Sequence, residues 1–149
     1  MKVTVNWKKD YVFEASDEKG FKCTFDHPEQ ESPEGMNPLV ALLMGLGGCM
    51  GLKAMIILKK MKQDVEDLSF EISVEQEEEE PKAFSKIELT CTIKGNNLAP
   101  NKVDYAFNLA KEKYCPAIAI LKNGTPIECK CLSLIHISEP TRPLYISYA

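Results

Sequence analysis

Arginine and histidine are nearly missing from this chain of 149 residues. Arg142 is the only arginine, and His27 and His136 are the only histidines, although lysine and arginine together number 18. Arg142 and His136 both lie in the C-terminal segment 132–149. Without that segment the chain would therefore contain no arginine and a single histidine.

The segment 132–149 does not resemble the rest of the chain. Leu132–Arg142 is similar to the translation of a transposase-type sequencing adapter, and Ile146–Ala149 resembles a later part of the same read-through. We therefore predict a single domain over residues 1–131 and a non-native tail over residues 132–149. A mechanism that requires a native arginine is therefore disfavoured for that domain.

Basic surface and an apolar leader are also lacking. The net charge is -4 and the densest charge run, Glu77–Glu80, is acidic, which argues against a nucleic-acid partner. Met1–Val5 is strand-like and has no apolar h-region, so we predict no signal peptide and a cytoplasmic, reducing environment. The longest apolar run, Leu39–Leu58, is interrupted by four glycines and by Lys53, and it predicts a buried helix rather than a membrane span.

The chain also lacks the ligand spacing of a zinc site. Such sites usually combine C-x2-C pairs or Cys/His clusters, whereas the nearest pattern here is Cys129-Lys130-Cys131, with no partner pair. A reducing environment likewise disfavours a framework of structural disulfides. We predict no metal and no bound cofactor.

The first half of the domain predicts a β-meander followed by a long helix. The predicted strands are Lys2–Trp7, Tyr11–Glu14 and Phe21–Phe25. A loop follows, and Asn37-Pro38 signals a helix start, since Asn caps free backbone amides and Pro has its φ already set. We expect this helix to run from Pro38 to about Lys62.

The second half predicts a β-hairpin, a second helix and a final strand, which gives an α/β fold of the α+β type. The elements are Leu68–Gln76, Phe84–Lys94, Asn101–Tyr114 and Thr125–Cys131. In the second helix Val103, Phe107, Ala110 and Tyr114 share one face. Pro116 ends the helical pattern, so Cys115 is expected at a helix terminus.

The long helix carries Cys49 on a face that predicts packing. That face comprises Leu42, Gly45, Leu46, Cys49, Leu52, Lys53 and Ile56. Four glycines, at 45, 47, 48 and 51, each cost roughly 1 kcal/mol relative to alanine inside a helix. Such a cost suggests either close approach of another element or space for a ligand beside the sulfur.

Two of the six cysteines have a context that favours redox chemistry. Glycines on both sides of Cys49 leave its sulfur uncrowded, and Cys115, at the end of another helix, could meet it in space. Cys23 and Cys91 fall in predicted strands and are interpreted as small buried side chains. Cys129 and Cys131 share one strand face, too far apart for a relaxed disulfide, and are interpreted as structural.

The same residues carry a family resemblance that extends over nearly all of residues 1–131. The matching patterns are Gly35-x-Asn37-Pro38-Leu39-x4-Met44-Gly45-Leu46-Gly47-Gly48-Cys49, Met61-x3-Val65, Phe84-x-Lys86-Ile87 and Lys111-x-Lys113-Tyr114-Cys115-Pro116. Together they resemble the OsmC/Ohr superfamily of stress-response proteins. The resemblance implies an intertwined homodimer with its active sites at the subunit interface.

The resemblance also implies an oxidoreductase that reduces organic hydroperoxides or hydrogen peroxide through redox-active cysteines. Cys49 would be the peroxidatic residue and Cys115 the resolving one, forming a disulfide that an external dithiol reduces. The family suggests a lipoylated or thioredoxin-like protein as that reductant. No metal, organic cofactor, nucleic acid or membrane is implied.

The chain departs from the peroxidase pattern at the residues that activate the thiol. Peroxidase members carry an arginine and a glutamate that holds it, whereas the glutamate's place falls here on Leu39 or Val40. Lys53, one turn after Cys49, and His27 in the preceding loop are candidate substitutes. The alternative interpretation is a non-peroxidase OsmC-like protein that acts in thiol redox chemistry or binds a small hydrophobic ligand.

Overall fold

The structure is a computed structural model that describes residues 1–136 and 143–148. The chain divides into two compact units, Met1–Met44 and Gly45–Ala149. The predicted α+β class is confirmed, because each unit combines a sheet with helical segments.

The first unit contains the predicted meander. Strands β1 (Val3–Lys9), β2 (Val12–Asp17) and β3 (Lys22–Phe25) form an antiparallel sheet in that order. The β2–β3 turn is closed by the Asp17 carboxylate, which accepts hydrogen bonds from the backbone N–H groups of Lys19 and Phe21. Gly20 has φ +90° in this turn, a conformation that glycine adopts without strain.

The loop after β3 is organised by one buried carboxylate. Asp26 is 6% exposed and accepts hydrogen bonds from the backbone N–H groups of His27 and Glu34. Helix α1 (Pro38–Lys60) begins where the sequence predicts, with the Asn37 side chain accepting a hydrogen bond from the N–H of Leu39 at 3.0 Å. The predicted cap is confirmed.

The second unit is built on a four-stranded mixed sheet. Strands β4 (Asp64–Gln76) and β5 (Phe84–Asn96) form the predicted antiparallel hairpin. Strand β6 (Ile127–His136) pairs with β5 in parallel, and β7 (Pro143–Tyr148) pairs antiparallel with β6. The sheet order is β4-β5-β6-β7.

The last strand differs from its predicted bounds. The expected end was Cys131, whereas β6 continues to His136 and a further strand, β7, follows within the predicted tail. A segment rich in residues that favour strands can extend a β-sheet wherever its backbone groups find hydrogen-bond partners, whatever the origin of the segment. Residues 137–142 and 149 of that tail lie outside the described residues, and its non-native origin stays a prediction.

The second predicted helix is divided into two parts, and a short helix that the sequence analysis did not predict follows it. Helix α2 (Pro100–Leu109) passes into a π-helical turn (Ala110–Tyr114), and α3 (Pro116–Leu121) follows Cys115. The Cys115 N–H donates to the Ala110 carbonyl at 2.8 Å, five residues back. This wider turn takes Tyr114 off the buried face of Val103, Phe107 and Ala110, so its predicted place there is wrong: Tyr114 is 45% exposed.

The predicted packing face of α1 also needs correction. The side chains that α1 buries are Leu46, Met50, Ala54 and Leu58. Of the predicted face only Leu46 is among them, whereas Leu52 is 68% exposed and Ile56 is 48% exposed. The helix is apolar on almost every side, so hydrophobic periodicity alone does not select the face that packs in the protomer.

Candidate active site

Cys49 and Cys115 are positioned by different kinds of backbone. Cys49 lies in the middle of α1 and is half-buried. Cys115 joins the π-helical turn to α3 in an extended conformation, with φ -84° and ψ 104°, because the following Pro116 disfavours a helical backbone at the residue before it. The expected place of Cys115 at a helix terminus is therefore found, and its side chain is buried.

The structure brings these two cysteines together. The Cys115 thiol donates a hydrogen bond to the Cys49 sulfur, with 3.3 Å between the two Sγ atoms. A disulfide bond is about 2.05 Å long, so the sulfurs need to approach by only about 1.3 Å to form one. The two thiols can therefore be oxidised to a disulfide and reduced again with little movement.

The two thiols have different surroundings. Burial raises the pKa of the Cys115 thiol to about 11; backbone hydrogen bonds from Ile118 and Ala117 oppose this shift, and the hydrogen bond with Cys49 adds to it. Cys115 therefore keeps its proton at neutral pH. This protonation agrees with its role as the hydrogen-bond donor, and it leaves Cys49 as the acceptor.

Two glycines of α1 allow strand β4 to approach the helix beside Cys49. A Cβ atom at Gly47 would lie 3.0 Å from Ile72 Cδ1, and one at Gly51 would lie 3.5 Å from Phe70 Cε2. At Gly45 and Gly48 nothing lies within 4 Å of the position of a Cβ atom. Close approach therefore accounts for Gly47 and Gly51, while Gly45 and Gly48 leave open space.

The two proposed substitutes for the family arginine gain no support from their contacts. Lys53 is half-buried and forms no hydrogen bond or ion pair within the part of the chain that the structure describes. His27 is exposed, its ring lies 5.4 Å from that of Tyr11, and its Nδ1 accepts a hydrogen bond from the N–H of Glu29. Neither observation links a cation to Cys49.

Sequence analysis missed a nearly buried cation in this unit. The Lys111 side chain is only 9% exposed. Its Nζ atom lies 3.8 Å from Oε1 of Glu112, whose side chain is largely exposed. Burial raises the pKa of Cys129 to about 11, and the positive charge of Lys111 partly opposes that shift. The only signal in the sequence was the position of Lys111 in the cysteine motif, four residues before Cys115.

The remaining cysteines are mostly buried, as expected of small apolar side chains. Cys91, Cys129 and Cys131 are each no more than 5% exposed, whereas Cys23 is half-buried on β3. Within residues 1–136 and 143–148, no group of three or more His, Cys, Asp or Glu side chains is arranged to hold a metal ion.

The fold and this thiol pair define a small α+β protein with a dithiol centre between a long helix and a helix terminus. The family model described as OsmC-like protein matches residues 30–130. Because this match covers more than half of the chain, the protein belongs to the OsmC-like family.

Comparison with individual proteins agrees with this assignment. The chain is 29% identical to Protein YhfA of Escherichia coli strain K12 over 127 residues, covering 85% of this chain and 93% of that protein. Two solved structures share the fold: an OsmC like protein from Mycoplasma pneumoniae (TM-score 0.79, 19% identity) and the Organic Hydroperoxide Resistance Protein OhrB of Bacillus subtilis (TM-score 0.60, 18% identity). They cover 91% and 87% of this chain, and 96% of each of those chains is matched.

Proposed function

We propose that this protein is a thiol-dependent peroxidase that reduces organic hydroperoxides or hydrogen peroxide. The observation that carries the proposal is the 3.3 Å separation of the Cys49 and Cys115 sulfurs. Some solved relatives with this fold are named organic hydroperoxide resistance proteins, which supports a peroxide as the substrate class.

In the proposed reaction Cys49 is the peroxidatic residue. Its thiolate attacks the distal oxygen of the peroxide, the O–O bond breaks, and an alcohol or water leaves. Cys49 becomes a sulfenic acid. The Cys115 sulfur then attacks the Cys49 sulfur, and its proton leaves with the sulfenic hydroxyl as water while the disulfide forms.

The unequal surroundings of the two thiols support these separate roles. Cys115 is 3% exposed and keeps its proton at neutral pH, so it is poorly suited to attack a peroxide first. Cys49 is the more accessible sulfur. An external dithiol, such as a lipoylated or thioredoxin-like protein, restores both thiols by exchange.

We also infer that the working form is a homodimer in the cytoplasm. OsmC-like proteins are soluble. Helix α1 nevertheless contains an apolar window of 18 residues with a mean hydropathy of 1.9, and only 17% of that window is buried within one chain. By length and composition α1 could cross a membrane, a criterion that core helices of soluble proteins also meet. A second copy of the chain would cover Leu52 and Ile56 without lipid.

One observation favours the second candidate function. The domain has no arginine, and Lys53 forms no ion pair within the described residues, so no cation is identified that would activate Cys49. A thiol-redox protein that does not reduce peroxides, or one that binds a small hydrophobic ligand in the space beside Gly48, needs no such cation.

A peroxide-consumption assay distinguishes the two functions. The reduced protein is mixed with cumene hydroperoxide or hydrogen peroxide, with dithiothreitol or dihydrolipoamide as reductant. We expect Cys49→Ser to slow turnover at least about 100-fold, because the attacking thiolate is lost. Cys115→Ser should leave a sulfenic acid at Cys49 that dimedone traps, and Cys23→Ser serves as a matched control. Peroxide loss that is unchanged in Cys49→Ser would exclude the peroxidatic assignment.

A further inference from the structure

Cys91 and Cys131 form a second close pair of thiols that the proposed reaction does not use. Cys91 lies on β5 and Cys131 on β6, and they are direct partners in the parallel register of these strands. Both side chains face the interior, with exposures of 2% and 0%. Register partners on one face of a sheet point their side chains in the same direction.

The geometry of a parallel sheet suits a disulfide at this position. Neighbouring strands lie about 4.8 Å apart, which falls within the range of about 4.4 to 6.8 Å between Cα atoms joined by a disulfide. Burial raises the pKa of the Cys91 thiol, and the neighbouring Cys131 side chain raises it further. The strand register therefore places the two thiols side by side in the reduced protein.

We propose that Cys91 and Cys131 are a second redox-active pair, which forms a disulfide between β5 and β6 when peroxide is in excess over reductant. One thiol reduces a peroxide to water or an alcohol and becomes a sulfenic acid. The other thiol attacks that sulfur, the S–S bond forms, and one water leaves. This proposal rests on the proposed function only in taking a peroxide as the oxidant, and any hydroperoxide can act as that oxidant.

Burial sets the order in which the two pairs are oxidised. Cys49 is half-buried, whereas Cys91 and Cys131 are 2% and 0% exposed, so peroxide reaches Cys49 first. The raised pKa of Cys91 slows its reaction further, since the thiolate is the nucleophile. The Cys91–Cys131 pair is therefore oxidised after the Cys49–Cys115 pair, once the latter stays oxidised for lack of reductant. The resulting bond would join the central strand β5 to β6 covalently and resist local opening of the sheet.

Trypsin separates the cysteines that matter for the test. Lys130 divides Cys129 from Cys131, so each falls in its own peptide, and Cys91 falls in the peptide Ile87–Lys94. The full-length protein is treated with rising amounts of hydrogen peroxide, quenched with acid, alkylated in guanidinium and mapped by mass spectrometry. No substitution is needed for this measurement on the wild type.

We expect wild-type protein to lose two free thiols at low peroxide and two more at higher peroxide, with the second loss mapped to Cys91 linked to Cys131. Cys91→Ala should abolish the second loss, and the matched control Cys129→Ser should keep it. In Cys49→Ser the second loss should persist, which separates this proposal from the peroxidase assignment. Complete alkylation of Cys91 and Cys131 after excess peroxide, or a link from Cys131 to Cys129, would overturn the proposal.

Discussion

The Cys115 thiol donates a hydrogen bond to the Cys49 sulfur across 3.3 Å, between the middle of one helix and the start of another. The hydrogen bond has a direction because Cys115 is the more deeply buried of the two and keeps its proton. The two sulfurs of the pair therefore differ in burial and in their role in the hydrogen bond before any substrate binds. This inequality leads to the first prediction.

Alkylation of Cys115 should require strongly alkaline pH. Its pKa is raised to about 11, so the reactive thiolate appears only as the pH rises through that value. Iodoacetamide labelling of the folded protein, followed peptide by peptide with mass spectrometry, should show little labelling of Cys115 at pH 8. Labelling in guanidinium is the control, because there the Cys115 thiol titrates at its unshifted pKa of 9.0. A folded-state midpoint for Cys115 at or below that value would contradict the prediction.

The same shift links folding to pH. The pKa of Cys115 is higher in the folded state than in the unfolded state, so above about pH 9 the unfolded chain loses a proton that the folded chain retains. The free energy of unfolding contributed by this thiol is therefore fully present below pH 9. It should fall as the pH rises towards about 11, as measured by urea unfolding of wild type against Cys115→Ser.

Much of the fold could be predicted because its signals are local. The meander follows from alternating residues, and the start of α1 follows from Asn37-Pro38, whose cap the structure confirms. The packed face of α1 could not be predicted, since apolar residues such as Leu52 and Leu58 occur on different sides and tertiary contacts decide between them. The possibility that Cys49 and Cys115 meet could be proposed from their motifs, although their distance could not.

Long-range pairing and helix irregularity explain most of what sequence analysis missed. The parallel pairing of β5 with β6 joins strands separated by the helices α2 and α3, and no periodicity encodes that register. The register pairing of Cys91 with Cys131 is therefore not predicted from the sequence. The π-helical turn that exposes Tyr114 depends on where Cys115 and Pro116 must lie, which a helical pattern does not report.

Alanine substitutions in α1 should separate glycines that make room for a strand from glycines that do not. Gly48→Ala meets nothing within 4 Å and should raise the free energy of unfolding by roughly 0.5–1 kcal/mol through helix propensity. Gly47→Ala should raise the free energy of unfolding by less, because its Cβ atom would lie 3.0 Å from Ile72 Cδ1. Urea unfolding at fixed protein concentration measures both. Destabilisation by Gly48→Ala would mean that a partner or ligand occupies this open space.

Introducing a charge on the exposed side of α1 should disrupt the proposed dimer. Leu52 is 68% exposed in the single chain, so Leu52→Glu costs little there, but it would place a carboxylate in an apolar interface. We expect at least a tenfold weaker dimer by light scattering coupled to size exclusion, with unchanged far-ultraviolet circular dichroism. Ile120→Glu on α3 is a matched control, since Ile120 is equally apolar and 75% exposed. Equal dimer strength in Leu52→Glu and wild type would contradict the proposed interface.

Removing the Ser133 hydroxyl should stabilise the protein. Ser133 Oγ is buried and, among the side chains that the structure describes, is the one buried polar atom without a hydrogen-bond partner. A buried hydroxyl without a partner costs roughly 1–3 kcal/mol, so Ser133→Ala should raise the free energy of unfolding by about 1 kcal/mol. Ser69→Ala, at an exposed position on β4, is the control and should be nearly neutral.

An unsatisfied hydroxyl just beyond Cys131 is consistent with the predicted foreign origin of the tail, because native domains satisfy nearly all their buried polar groups. Destabilisation by Ser133→Ala would instead indicate that the hydroxyl has a partner and that β6 evolved with this serine in place.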